Sequence, residues 1–150
     1  MKRSVMRAQI TGEAALRVCD GALAQARAEG QAVVVAVVDA SGILVAFVAE
    51  QGAPRISHAV ARDKAFTAAM TGRSSLEWKN FMDAMPANER EIVLKAEGYI
   101  GTDGGFPILD AEQVVGGVGV SGATGDLDAR CARAGIAALG AAFVGDRDAP

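Results

Sequence analysis

The residues with the widest chemical scope lie in one stretch, Ser57-His58-Ala59-Val60-Ala61-Arg62-Asp63-Lys64-Ala65-Phe66-Thr67. His58 is the only histidine in the chain. A histidine can move protons near neutral pH or ligate haem iron axially. At the first turn of a helix its charged form is disfavoured by the positive end of the helix dipole. Val60, Lys64 and Thr67 share one helical face, because positions i, i+4 and i+7 align. Lys64 has Ala61, Ala65 and Ala68 as neighbours, all small. A lysine so placed is partly buried, and its charge then seeks an anionic partner. Lys64 is therefore the expected partner of a ligand or substrate carboxylate. Arg62 and Asp63 are assigned to solvent.

A second feature is Gly116-Gly117-Val118-Gly119-Val120-Ser121-Gly122-Ala123-Thr124-Gly125-Asp126. It reads as a strand running into a turn that opens a helix, with Thr124 as the cap. Amides at a helix start attract carboxylate or phosphate. Gly119, Ser121, Gly122 and Thr124 are accordingly expected to bind ligand. Gly117, Gly119 and Gly122 satisfy the GxGxxG spacing, but no strand with a ribose-binding acid follows, so a dinucleotide site is not indicated. Asp126 and Asp128 would repel an anion there. Glycine weakens a strand, so the cluster also implies that another backbone or a ligand comes close. A third feature, Thr102-Asp103-Gly104-Gly105-Phe106-Pro107, is a shaped loop. Its glycines permit unusual backbone angles, and proline sets the exit direction. Gly104, Gly105 and Phe106 are expected to form a pocket wall or hairpin turn, and Asp103, with His58, to move protons. No serine–histidine–acid arrangement or carboxylate pair follows from spacing. Trp78, Phe81, Met82 and Met85 make a stripe on a mid-chain helix, read mainly as core and otherwise as cover for a flat ligand or a second subunit.

The elements that must hold these residues can be read from periodicity and punctuation. Thr11 caps a helix over 11–29, with Leu16, Cys19, Leu23 and Ala26 on its apolar face and Gly30 as its stop. The continuous apolar run Val33 to Asp39 predicts a strand covered on both faces. Asp39-Ala40-Ser41-Gly42 then turns the chain into a second strand over 43–49. Ser57 caps a helix to about Met70, with Gly72 after it. Ser74-Ser75-Leu76-Glu77 is a capping box that opens the next helix. Pro86 starts another, ending near Gly98. A short strand with a glycine turn is expected over 99–105, strands over 107–109 and 114–120, and a last helix from Thr124 to about Phe143. Residues 145–150 read as a polar tail. Hairpins in place of alternating βα units favour an antiparallel sheet of about five strands with helices packed on it.

A chain of 150 residues is one domain by default and buries enough surface to fold without disulfides or metal. Charged residues make up 22%, the net charge is −3, and no basic patch stands out, so a nucleic-acid partner is not expected. Cys19 and Cys131 lie apart in helices and read as buried free thiols; no metal cluster is expected. No apolar run approaches the ~20 residues of a membrane helix, and residues 1–7 lack the apolar core of a signal peptide. A cytoplasmic protein with no membrane partner is the default expectation.

Several segments, in order and spacing, resemble the GlcG/HbpS-like haem-binding or haem-degrading family. They are Ala36-Val37-Val38-Asp39-Ala40-Ser41-Gly42-Ile43-Leu44-Val45-Ala46-Phe47, Gly52-Ala53-Pro54 with 61–69, Gly104-Gly105-Phe106-Pro107-Ile108, and Val115 to Gly122. The likeness runs from about residue 11 to 140. It implies an α+β, profilin-like fold with an antiparallel five-stranded sheet flanked by helices. It also implies homo-oligomers and a tetrapyrrole theme, with haem or a corrinoid as the ligand classes. The haem-binding members take an axial histidine from the N-terminal helical region. Residues 1–30 here contain none; His58 lies elsewhere, at the start of the Lys64 helix, and is the weak haem-ligand candidate, with Met6, Cys19 or Lys64 as still weaker substitutes. Three functions follow in order of expectation: a binding protein for haem, a corrinoid or another anionic ligand; a small catabolic isomerase, lyase or hydratase acting on an organic acid; and a ligand-free structural or regulatory oligomer.

Overall fold

The computed structural model describes residues 1–140 and the backbone of 143–144. The elements run α1 (Gly12–Ala28), β1 (Val34–Asp39), β2 (Leu44–Ala49), α2 (Ser57–Thr71), α3 (Ser75–Asp83), α4 (Ala87–Val93), β3 (Gly105–Asp110), β4 (Gln113–Ser121), α5 (Gly125–Ala137) and β5 (Phe143–Val144). Four antiparallel strands, in the order β2-β1-β4-β3, form the sheet. The two residues of β5 pair with the free edge of β3. The sheet thus has four full strands; the further strand expected within 99–105 does not form, and the two-residue β5 takes the fifth place. Residues 99–104 are loop, because side chains take their amides: the Thr67 hydroxyl accepts the Ile100 N–H, and Asp103 Oδ1 accepts the Gly104 N–H. Gly105 instead begins β3.

Local signals in the sequence account for most boundaries. Thr11 Oγ1 accepts the Ala14 amide at 3.2 Å and caps α1. Ser74 and Glu77 close the capping box of α3 in both directions. Gly72 ends α2 in the left-handed conformation. Three expectations need correction. Ser57 does not cap α2: Ile56 holds that position, and the Ser57 side chain is buried inside the helix. Leu16 points to solvent, and the buried face of α1 is Ala15, Val18, Cys19, Ala22, Leu23 and Ala26. α5 stops at Ala137, before Gly140, which has a positive φ; Phe143 belongs to β5, and the expected tail at 145–150 lies outside the described residues.

The β1 run is covered on both faces, as a continuous apolar strand requires. On one face Val35, Val37, Val118, Val120, Phe106 and Ile108 pack against α1 and α5. On the other, Val34, Ala36 and Val38 meet Ala61, Ala65 and Ala69 of α2. This second interface is unusually thin. Ala36, Gly119 and Gly105 lie side by side across three strands, and Val38, Gly117 and Pro107 form the next row. A Cβ at Gly105 would sit 2.5 Å from the Lys64 carbonyl oxygen, and one at Gly117 or Gly119 would strike the carbonyls of Ala65 or Ala61. The strand glycines are there because the α2 backbone lies directly on them.

Candidate functional site

Lys64 is buried and finds its anionic partner within the chain. Its side chain is 2% exposed, and Nζ donates to the Val120 carbonyl at 2.8 Å and to Asp128 Oδ2 at 2.9 Å. Asp128, also buried, accepts the Ala123 amide through Oδ1 at 3.0 Å. The lysine therefore ties α2, on one face of the sheet, to α5 on the other. Gly104 leaves room for that passage: a Cβ there would lie 2.8 Å from the Cβ of Asp128 and 2.9 Å from Lys64 Nζ. The anion expected at the start of α5 is thus supplied by the chain itself. Thr124 caps the helix, and the Asp128 carboxylate, neutralised by Lys64, occupies the amide of Ala123.

The remaining expected ligand residues are also taken up internally. Gly105 and Gly119 give way to the α2 backbone, and the Gly105 amide donates to the Ser75 hydroxyl at 2.9 Å. Phe106 is 1% exposed in the core facing α5, with the Arg133 guanidinium 4.7 Å above its ring. Ser121 is buried opposite Val34, and Gly122, at φ +141°, abuts the Ala32 carbonyl. Asp103 is half-buried beside Gly125 and turns its carboxylate onto the next amide. These residues do come together, around the Lys64–Asp128 pair, but as a structural junction.

The accessible chemistry lies on the outer side of α2. A groove of about 300 Å³ runs between this helix and the β1–β2 hairpin, lined by Val38, Gly42, Leu44, Ala59, Arg62, Asp63, Phe66 and Gly98. The hairpin turn is built by Asp39 Oδ1, which accepts the amides of Ser41 and Ile43. Gly42 must lack a side chain, since a Cβ would run into the Phe66 ring. His58, exposed at the start of α2, stands edge-on to Phe47 of β2 with ring centroids 5.5 Å apart. One turn along, Arg62 contributes an exposed guanidinium and Asp63 a half-buried carboxylate. Burial pushes the Asp63 carboxyl above the usual carboxylate range, and the Arg62 charge opposes that rise. Arg62 and Asp63 were assigned to bulk solvent from sequence. The i, i+4 spacing of His58 and Arg62 could have found the arginine, since it sets both on one strip of the helix.

No group of three or more potential metal ligands occurs among the described residues, and none of their helices is long and apolar enough to cross a membrane. Cys19 and Cys131 are buried and free, in the packed layer of α1 and α5.

Comparison with known proteins bears on the whole of this architecture. A double-mutant form of HbpS from Streptomyces reticuli is 32% identical and superposes with a TM-score of 0.84, the match covering 94% of each chain. The ORFY protein of Klebsiella pneumoniae is 26% identical with a TM-score of 0.86, over 94% of this chain and 97% of that one. PduOC, solved as a haem complex, shares the fold at 22% identity, with a TM-score of 0.82 over 93% and 99% of the two chains. No curated protein sequence matches the chain. The family model described as haem degrading protein HbpS-like matches residues 10–137, and the chain belongs to the HbpS-like haem degrading protein family.

Proposed function

We propose that the chain is a small-molecule-binding protein that holds haem, or a corrinoid of similar shape, in the groove between α2 and the β1–β2 hairpin. The observation that carries this reading is the pairing of a cation with apolar walls in one concave surface. Arg62 offers a guanidinium for a ring carboxylate, while Val38, Leu44 and Phe66 offer apolar cover. His58 stands on the same strip of helix as the axial ligand. Membership of the HbpS-like family and the PduOC haem complex support the ligand class. The described groove covers only part of such a ring. A homo-oligomer supplies the rest: Ile43, Leu44 and Ile56, all exposed at this edge, are then covered by a second subunit. We read the fold as profilin-like and the protein as cytoplasmic.

Absorbance titration with haem tests this on wild type, His58→Ala and Arg62→Ala. A saturating Soret shift is expected in wild type. The band should be lost or moved in His58→Ala, and affinity weakened about tenfold in Arg62→Ala, the loss of one charge-assisted hydrogen bond. Absence of a saturating change in wild type refutes the haem reading.

One observation favours a second reading. Asp63, held protonated to higher pH than an ordinary carboxyl, lies beside Arg62 in the same groove. An organic acid seated on Arg62 would put Asp63 and His58 in place as proton carriers, as in a small catabolic isomerase, lyase or hydratase. Lys64, being buried and bound to Asp128, has no part in either reading.

A further inference from the structure

A second concave surface lies on the far side of the Phe66 ring. It is about 320 Å³ in volume and is walled by Trp78 and Met82 of α3, Arg90 and Val93 of α4, and Leu94 and Tyr99 of the segment that follows. The aromatic part of the wall is braced on both sides. Trp78 stacks on Phe81 with centroids 5.6 Å apart and leans on Tyr99 at 5.6 Å; Tyr99 meets Phe66 edge-on at 5.3 Å. Gly101 lets the 98–104 loop close against α3, since a Cβ there would come within 3.0 Å of Lys79 Cβ. The polar part of the wall is lopsided. Lys79 is paired with Asp83. Arg90, half-buried, makes no ion pair among the described residues; it feels Asp83 only at longer range, while that carboxylate is held by Lys79.

From this geometry we infer a second ligand site, for a small planar organic anion of the aryl carboxylate class. The indole and phenol rings cover the flat face of such a ligand, Met82, Val93 and Leu94 cover its edge, and the Arg90 fork takes the carboxylate in a bidentate pair. The braced aromatic wall and the Arg90 fork suit one ring with its carboxylate, so the site differs in ligand class from the groove on the other side of Phe66.

Trp78 is the only tryptophan, so its emission reports on this pocket alone. The experiment is a fluorescence titration of the full chain with benzoate and, separately, with benzyl alcohol as the uncharged analogue. Wild type should show a saturable change with benzoate, and benzyl alcohol should bind at least about tenfold more weakly, the loss expected for one charge-assisted pair. Arg90→Gln should weaken benzoate by a similar factor and leave benzyl alcohol unchanged. If Arg90→Gln alters the emission of the unliganded protein, Arg90→Lys decides: with the charge kept, benzoate should bind more tightly than to Arg90→Gln. His58→Ala should leave the titration unchanged. No saturable change in wild type up to about 10 mM benzoate, about tenfold above a weak Kd of about 1 mM, overturns the inference. Equal affinity for the two probes, or for the two Arg90 variants, overturns it too. The readout is tryptophan emission and not the Soret band, so its failure is separable from failure of the haem reading.

Discussion

Replacing Lys64 with methionine keeps most of the side-chain volume and removes the charge. Asp128 would then be a buried carboxylate with one amide from Ala123 and no cation. Breaking a buried pair from one side costs about 3–5 kcal/mol, because an uncompensated charge stays behind. A domain of this length has a total stability of about 5–15 kcal/mol, so the loss is a large share of it. At about 2–4 °C per kcal/mol, Tm should fall by roughly 6–20 °C. The double variant Lys64→Met with Asp128→Asn should recover most of this. Asn keeps an oxygen for the Ala123 amide and carries no charge, and neutral replacement of a buried pair is often close to energetically even. Thermal unfolding followed by circular dichroism on the two single variants and the double gives the coupling. If Lys64→Met loses less than about 1 kcal/mol, or the two losses simply add, the account of the junction is wrong. Haem titration of Lys64→Met separates structure from binding: affinity should match wild type at a temperature where the variant is folded.

Three further outcomes follow from named contacts. Gly119→Ala should destabilise by about 3 kcal/mol, the upper part of the overpacking range, because its methyl meets the α2 backbone and not a side chain that can turn away; urea unfolding measures it. Burial pushes the Cys19 and Cys131 thiols to about 11, so at pH 8 only about one in a thousand is thiolate; a thiol reagent should leave the native protein unlabelled and titrate two sites after unfolding. The folded chain holds the Asp63 proton to higher pH than the unfolded chain does, so stability from this group is full below the ordinary value of 3.8 and is lost as pH rises through the folded value. Asp63→Asn should therefore raise the urea midpoint near neutral pH and leave it unchanged at about pH 3, and the reverse pattern contradicts the burial argument.

The secondary structure was largely legible because its signals are local. The capping box at Ser74, the Thr11 and Thr124 caps and the left-handed Gly72 each act within four residues. The strand expected at 99–105 failed for the opposite reason: the groups that take the Ile100 amide come from Thr67, over thirty residues away. The glycine cluster was rightly read as a close approach, but a pattern of absent side chains does not say what fills the space. Here the visitor is the α2 backbone. Lys64 was similarly half-legible. Its alanine neighbours betray burial, while its partner, Asp128, lies 64 residues along the chain and looks like an ordinary first-turn acid. The groove was missed because Arg62 and Asp63, read along the helix alone, look like any solvated pair until the β1–β2 hairpin is placed beside them.

The thinness of the α2 interface sets what kind of motion the domain can support. Alanine and glycine have no rotamers, so their burial takes no side-chain freedom from the chain, and equally leaves the interface no alternative packing to hop into. Interlocked longer side chains let a helix slide by exchanging one set of rotamers for another; Ala61, Ala65 and Ala69 over Gly117, Gly119 and Ala36 have no such exchange available. Helix and sheet should then move as one plate, and adaptation to a ligand in the groove should fall to the hairpin side, at Gly42 and the edge strand β2. In hydrogen exchange, ligand should slow the amides of β2 while those of α2 and β4 stay equally protected with and without it.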